Sequence, residues 1–250
     1  ALNSMLERLE TAFAARAESE ERLRRFAADA SHELRTPLAS IRGYAELFGR
    51  GAASNPAHLA TAMSRIEAEA TRMGVLVDDL LLLARLDARR PLAMEPVDLV
   101  TLAEDAVADA RATAPDRAIT MTADQEVIVR GDEVQLRQVV ANLMRNAAVH
   151  TRVGTPIELV ARDVDGFGIF RVIDHGPGID PASRAEIFDR FHRIDEARSR
   201  DQGGTGLGLA IVAGVVAAHH GTVEVLDTDG GGATFEVRLP IWAESDSVLP

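Results

Sequence analysis

Apolar residues recur at steps of three and four along the first third of the chain. Leu23, Phe26, Ala30, Leu34, Leu38, Ile41, Ala45 and Phe48 form one such seam, the mark of an amphipathic helix. Leu2, Leu6, Leu9 and Phe13 precede it at coiled-coil spacing, so the pattern predicts one helix over residues 2–48. Gly49 to Pro56 carries glycines, Ser54 and Asn55 and predicts a loop. Leu59, Met63, Ile66, Ala70, Met73, Val77, Leu80 and Ala84 then alternate steps of four and three. The result is an αα-hairpin with one apolar seam on each arm. Two helices bury only part of such stripes, so a second copy is expected to complete a dimeric four-helix bundle.

Past Arg89-Arg90-Pro91-Leu92 the pattern changes. Helices are predicted over 98–111, 132–150, 181–190 and 207–219, with Asp132 as an N-cap. Short strands are predicted over 119–123, 127–130, 157–162, 168–174, 222–226 and 234–239. Asp165-Gly166 and Asp229-Gly230-Gly231-Gly232 read as hairpin turns. Helices mixed with hairpin-joined strands predict an α/β sandwich with a mixed sheet. The chain should therefore divide into a leading helix over 1–21, a helical hairpin over 22–90 and an α/β domain over 91–245.

Composition narrows the chemistry. A hydrophobic content of 46% and a charged content of 26% are those of a soluble globular protein. No apolar run reaches membrane-spanning length, and the candidate near Val75 to Ala84 is broken by Asp78 and Asp79. The chain opens on Ala1 inside the helical pattern, which reads as the cytoplasmic fragment of something longer. There is no Cys, which excludes disulfides, thiolate metal sites and a cysteine nucleophile. Every one of the 27 basic residues is Arg. A phosphate loop of the Gly-rich Lys-Ser/Thr kind and a lysine Schiff base are thereby excluded. Residues 93–250 hold 14 of the arginines against 26 acids, which accounts for the whole net charge of −12 and argues against nucleic-acid binding.

Candidate chemistry begins at Ser31-His32-Glu33-Leu34-Arg35-Thr36-Pro37-Leu38. His32 lies two residues from both Ala30 and Leu34, about 200° around the helix from each. It therefore faces solvent, beside the carboxylate of Glu33 and one turn before Thr36, as a nucleophile should. Asn142, Asn146 and His150 are spaced by four and share one face of a helix. Carboxamides there offer oxygens to Mg²⁺ and amide nitrogens to phosphate, although such a pair is also an ordinary polar face. Asp174-His175-Gly176-Pro177-Gly178 ends a strand; its glycines let backbone approach a flat ring, and Asp174 offers an acceptor to an exocyclic amine. A plain tight turn would look the same. Gly203-Gly204-Thr205-Gly206-Leu207-Gly208-Leu209 enters a helix and aims N–H groups at an anion. Phe188-Asp189-Arg190-Phe191-His192-Arg193 adds two aromatic rings that would hold a mobile loop, and a guanidinium in Arg193 able to reach a terminal phosphate.

In this order and spacing, the chain resembles the kinase core of bacterial two-component sensor histidine kinases. Residues 31–38 are similar to that family's phosphoacceptor box, and 142–150, 174–179, 188–193 and 203–211 to its nucleotide-binding boxes. The resemblance covers about residues 22–240. It implies that His32 takes the γ-phosphate of ATP, with Glu33 holding the imidazole proton. It implies that Asn146 holds Mg²⁺ with Asn142 assisting, that Asp174, Gly176 and Gly178 select adenine, and that His150 lies against the base or sugar. Gly204, Thr205, Gly206, Leu207, Gly208 and Leu209 would wrap the phosphates, with Arg193 at the terminal one. Thr36 would position water for dephosphorylating a partner. That partner would be a response-regulator receiver domain docking near His32 and accepting the phosphoryl group on an aspartate. Residues 1–21 would be a juxtamembrane linker helix, the protein a homodimer, and the full-length receptor anchored in the inner membrane through N-terminal segments this sequence lacks.

One position departs from the pattern: Val149 stands where many relatives carry Lys or Arg, and Arg145 or Arg152 would have to replace it. His219 and His220 close a predicted helix, where cations complement the macrodipole. Two competing functions are an ATP-gated clamp of the gyrase, mismatch-repair or chaperone kind, and a catalytically silent dimeric scaffold. The heptad hairpin bearing His32 speaks against the first, the intact Asn146, Asp174 and Gly204 to Gly208 against the second.

Overall fold

The computed structural model describes residues 2–49, 56–88, 92–192 and 205–242. They fall into two compact units, Ala1–Leu80 and Leu81–Pro250.

The first unit is built on helices α1 (Leu2–Gly49) and α2 (Pro56–Asp87). α1 runs through Pro37 without ending, and Pro37 itself is buried. The expected seam on α1 is divided. Ala30 is buried and Phe26, Leu34 and Ile41 are half-buried, but Leu38 is 56% exposed and Phe48 42%. Of the leading coiled-coil positions only the Phe13 side chain is described, and it is exposed. On α2 the burial falls on Ala62, Leu76, Asp79 and Leu83, flanked by half-buried Leu59, Ile66, Met73 and Leu80. Met63, Ala70, Val77 and Ala84, spaced by seven, stay exposed. A strict heptad seam is wider than one neighbouring helix can cover, so a single chain leaves every second member in water.

The second unit starts inside α2 and continues through β1 (Glu95–Asp98), α3 (Leu99–Thr113), β2 (Ile119–Ala123), β3 (Ile128–Gly131) and α4 (Glu133–His150). Then come β4 (Ile157–Val164), β5 (Phe167–Asp174), two 3₁₀ turns (Pro181–Ser183 and Glu186–Phe188), α5 (Gly208–Ala218), β6 (Thr222–Asp227) and β7 (Ala233–Pro240). A five-stranded sheet has the order β2-β4-β5-β7-β6, with β2 parallel to β4 and the other pairs antiparallel. The mixed sheet expected from the hairpin signals is therefore present. β1 and β3 form a separate antiparallel pair, and β1 carried no strand signal. The predicted helix over 181–190 is instead the two 3₁₀ turns; Pro181 opens the first, and Asp180 caps it by accepting from the Ala182 N–H at 2.9 Å.

One face of the sheet carries Leu159, Ala161, Phe170, Val172, Phe235 and Val237, all at most 2% exposed, and helices α3, α4 and α5 cover it. The opposite face pairs Arg171 with Glu236 across β5 and β7, and Arg238 bonds the same buried carboxylate at 2.6 Å. Asp98 and Asp132 cap α3 and α4, accepting from the N–H groups of Val100 and Gln135. At the end of α5 the expectation of a dipole-complementing cation fails for His219. It is 1% exposed, its Nδ1 donates to the Val215 carbonyl at 2.8 Å, and its Nε2 accepts from the Asp132 N–H. Burial holds its pKa below the usual histidine value, so it serves as a neutral connector.

Candidate functional site

The residues expected around a base converge at the end of β5. Asp174 is 6% exposed. Its Oδ1 accepts from the backbone N–H groups of Gly176 at 2.8 Å and Ala233 at 3.3 Å. Among the described residues Oδ2 has no hydrogen-bond partner. The carboxylate is thus clamped through one oxygen, with the other left to accept from a donor such as an exocyclic amine.

The turn after Asp174 is tight on all sides. A Cβ on Gly176 would lie 2.9 Å from both Asp174 Oδ1 and Thr151 Cγ2, and 3.7 Å from the His150 carbonyl. Gly178 has φ +75, and its Cβ would meet the Gly232 carbonyl at 3.2 Å. Gly232, at φ +122, could carry no side chain, because a Cβ there would collide with the Asp174 carbonyl oxygen and approach His175 Cα at 2.8 Å. Gly232 and Ala233 are therefore part of this site. From the sequence Gly232 reads only as part of a hairpin turn and Ala233 carries no signal; the sole local mark is a third consecutive glycine where a two-residue turn needs fewer. His175 points away to Glu158, with Nε2 2.8 Å from Oε1.

The far end of α4 brings in the backbone beneath this turn. Arg117 donates through Nη1 to Thr151 Oγ1 at 2.5 Å and the Thr155 carbonyl at 3.2 Å, and through Nη2 to the carbonyls of Ala148 (3.1 Å) and Arg152 (3.2 Å). One guanidinium thus satisfies the Ala148 carbonyl, which the helix end leaves open, and ties it to two carbonyls of the loop that follows. Arg117 had no motif to announce it.

A second cluster lies where α4 meets α5. Asn142 is 6% exposed, and its Oδ1 accepts from Arg145 Nη2 at 2.8 Å. The Asn142 oxygen is therefore occupied by a protein donor in this arrangement, whereas Asn146, half-buried one turn on, makes no side-chain bond among the described residues. Gly208 packs against both partners: its Cβ would lie 3.1 Å from Arg145 Nη2 and 3.4 Å from Asn142 Oδ1. Leu207 is fully buried and donates its N–H to Thr205 Oγ1 at 3.3 Å, and Leu209 is half-buried.

The Phe188–Phe191 box lies directly against the glycine segment. Phe191 adopts φ +61, a conformation that costs a bulky residue free energy. Its N–H donates to the Gly206 carbonyl at 2.9 Å, and a Cβ on Gly206 would sit 2.9 Å from Phe191 Cα. Arg190 reaches Asp87 at 2.7 Å, and a Cβ on Gly214 of α5 would lie 3.2 Å from Leu86 Cδ1, so the end of α2 packs on this part of the second unit. Arg193 and Gly204 lie outside the described residues.

In the first unit His32 is exposed and Glu33 half-buried beside it. Ser31 bonds back to the Ala27 carbonyl at 2.7 Å, but the exposed Thr36 hydroxyl has no partner among the described residues. Among the described residues no helix is long and apolar enough to cross a membrane.

Comparison with known proteins matches both units. The His Kinase A (phospho-acceptor) domain family matches residues 22–89, and the histidine kinase-, DNA gyrase B- and HSP90-like ATPase family matches residues 131–243. The probable sensor histidine kinase TcrY of Mycobacterium tuberculosis is 50% identical over 96% of this chain and 50% of its own length. The sensor protein kinase PmrB of Pseudomonas aeruginosa is 36% identical over 96% and 48%. The chain thus spans about half the length of these curated relatives. Among solved structures, the mycobacterial sensor histidine kinase MprB is 30% identical with a TM-score of 0.53, over 60% of this chain and 98% of that one. Full-length ShkA in complex with AMPPNP is 30% identical with a TM-score of 0.63, over 87% and 45%. A gyrase-type clamp shares the second match alone. A phosphoacceptor hairpin followed by this ATPase unit places the chain in the sensor histidine kinase family.

Proposed function

We propose that the chain is an ATP-dependent protein-histidine kinase that phosphorylates itself on His32 and passes the phosphoryl group to an aspartate of a response-regulator receiver domain. The observation that carries this is the state of Asp174: Oδ1 is locked by two backbone N–H groups, and Oδ2, without a partner among the described residues, would take an adenine amine. Gly176, Gly178 and Gly232 keep side chains out of the plane beside it. His150 at the end of α4 would border the same base or its sugar.

In the reaction one imidazole nitrogen of His32 attacks the γ-phosphorus. A P–N bond forms, the P–O bond to the β-phosphate breaks, and ADP leaves. Glu33 holds the proton on the ring so that the attacking nitrogen keeps its lone pair. The remaining work is positioning and charge neutralisation. Asn146 fits Mg²⁺ through its carboxamide oxygen, since the ion accepts one or two protein oxygens and completes its shell with phosphate and water. When bound, the ion would offset negative charge on the phosphates. Gly206, Leu207, Gly208 and Leu209, with Thr205 and Gly204 before them, would line the phosphates, and Arg193 would meet the terminal one.

The protein would work as a homodimer whose second copy covers Leu38, Met63 and Val77 in a four-helix bundle, with residues 1–21 as a signalling helix. The domains would run over 22–90 and 91–245. The whole receptor would be membrane-anchored with this part in the cytoplasm. Thr36, exposed one turn from His32, would direct water at the phosphorylated regulator, giving a second, phosphatase activity.

Incubation with γ-labelled ATP and Mg²⁺ tests the main reading. Acid-labile, alkali-stable label on the wild type and none on His32→Gln is the expected result. Label that persists in His32→Gln would move the nucleophile elsewhere, and wild type that binds no ATP would revive the scaffold. For Thr36→Ala, autophosphorylation should persist while release of phosphate from the regulator slows; unchanged release would remove Thr36 from that role.

A further inference from the structure

The junction of α4 and α5 gathers several hydrogen-bond donors among the described residues. α5 is 11 residues long, its N-cap Leu207 gives no side-chain cap, and the first N–H groups of a helix lack intrahelical acceptors. Arg145 Nη2 sits 3.1 Å from where a Gly208 Cβ would be, a cation at the positive end of the helix dipole. Asn142 is 94% buried, its one acceptor is spent on Arg145, and its Nδ2 has no partner among the described residues. A guanidinium, an unspent carboxamide N–H and a helix N-terminus close together make a place that favours an anion.

We propose that Arg145 is a phosphate-binding cation of the nucleotide site besides Arg193, exchanging its Asn142 partner for the nucleotide's phosphate oxygens. This rests on the nucleotide reading above and adds a residue to it. Asn142 lies eight residues before His150, about 12 Å along α4, a separation on the scale of a nucleoside polyphosphate. Arg145 therefore stands at the phosphate end and Asp174, near the His150 and Thr151 end, at the base. The chain has no lysine, and Val149, one turn beyond Arg145 on α4, is aliphatic, so neither offers a charge there. The exposed surface position of Arg145 leaves it free to swing.

Calorimetric titration of the whole chain with Mg-ATP, Mg-ADP and AMP, for wild type, Arg145→Ala and Arg145→Lys, tests this. Arg145→Ala should weaken Mg-ATP and Mg-ADP by roughly tenfold to a hundredfold and change AMP less than about twofold. Arg145→Lys, a point charge without the planar fork, should fall between. Mg-ATP affinity equal to wild type in Arg145→Ala would overturn the proposal. So would equal losses for all three nucleotides with a lowered melting temperature, since that would make Arg145 a structural brace for Asn142. Wild type that binds none of them would bring down the nucleotide reading itself, and this inference with it.

Discussion

His219 Nε2 accepts the backbone N–H of Asp132 at 2.9 Å, joining the end of α5 to the start of the helix that carries Asn142 and Asn146. The other ring nitrogen donates to Val215 O, so the geometry requires a neutral ring. Burial is the main reason its pKa is lowered from 6.5. The Val215 bond and Asp132 oppose that shift, and His220 adds to it. A folded-state value below the unfolded one means that the unfolded chain takes up the proton first. This contribution to stability is whole above about pH 6.5 and is lost as pH falls below it. His219→Gln keeps an acceptor but cannot titrate. Its urea midpoint should change less than that of wild type between pH 7 and pH 5. Parallel curves would show that His219 does not carry this pH dependence.

Asp174→Asn separates the two tasks of that side chain. The amide oxygen can still accept from Gly176 and Ala233, while the amide nitrogen replaces the acceptor that Oδ2 provides. Thermal stability should stay within a few degrees, and ATP affinity should fall about tenfold or more. Unaltered ATP binding by Asp174→Asn would remove Asp174 from base recognition.

Gly232→Ala should fail for two reasons at once: its φ of +122 strains any L side chain, and its Cβ would strike the Asp174 carbonyl. A cost of about 2–3 kcal/mol and weakened ATP binding are expected. Gly230→Ala, at φ +86 but with nothing within 4 Å, is the control that carries only the strain. Equal unfolding midpoints for the two variants would discount the contact with Asp174.

Arg117→Ala removes a donor from Thr151 and from three backbone carbonyls, of which that of Arg152 alone keeps another among the described residues, the Thr155 N–H. Denaturant unfolding should register a loss of about 2–3 kcal/mol, as for hydrogen bonds from a charged group. ATP affinity should fall too, because Thr151 Cγ2 borders the Gly176 turn. Arg117→Lys keeps the charge without the fork and should recover part of the loss. An unchanged midpoint in Arg117→Ala would mean that water replaces the guanidinium there.

The sequence by itself determined whatever depends on near neighbours. Steps of three and four set α1 and α2, alternation set the strands, and Asp132 marked a helix start through a bond only three residues long. The side of the helix on which His32 lies followed from the 3.6-residue turn alone. Asn142, Asp174 and Gly208 were legible because their residue types are unusual at those places in a helix or at a strand end. The tertiary structure decided which distant groups complete them. Arg117 meets carbonyls 31 to 38 residues away, Ala233 meets Asp174 across 59, and His219 meets Asp132 across 87. Nothing in local spacing encodes such partners; packing of α4, α5 and the sheet brings them within reach. It likewise divided the α2 heptads into a buried set and an exposed one, since burial depends on which surface lies opposite and not on period alone.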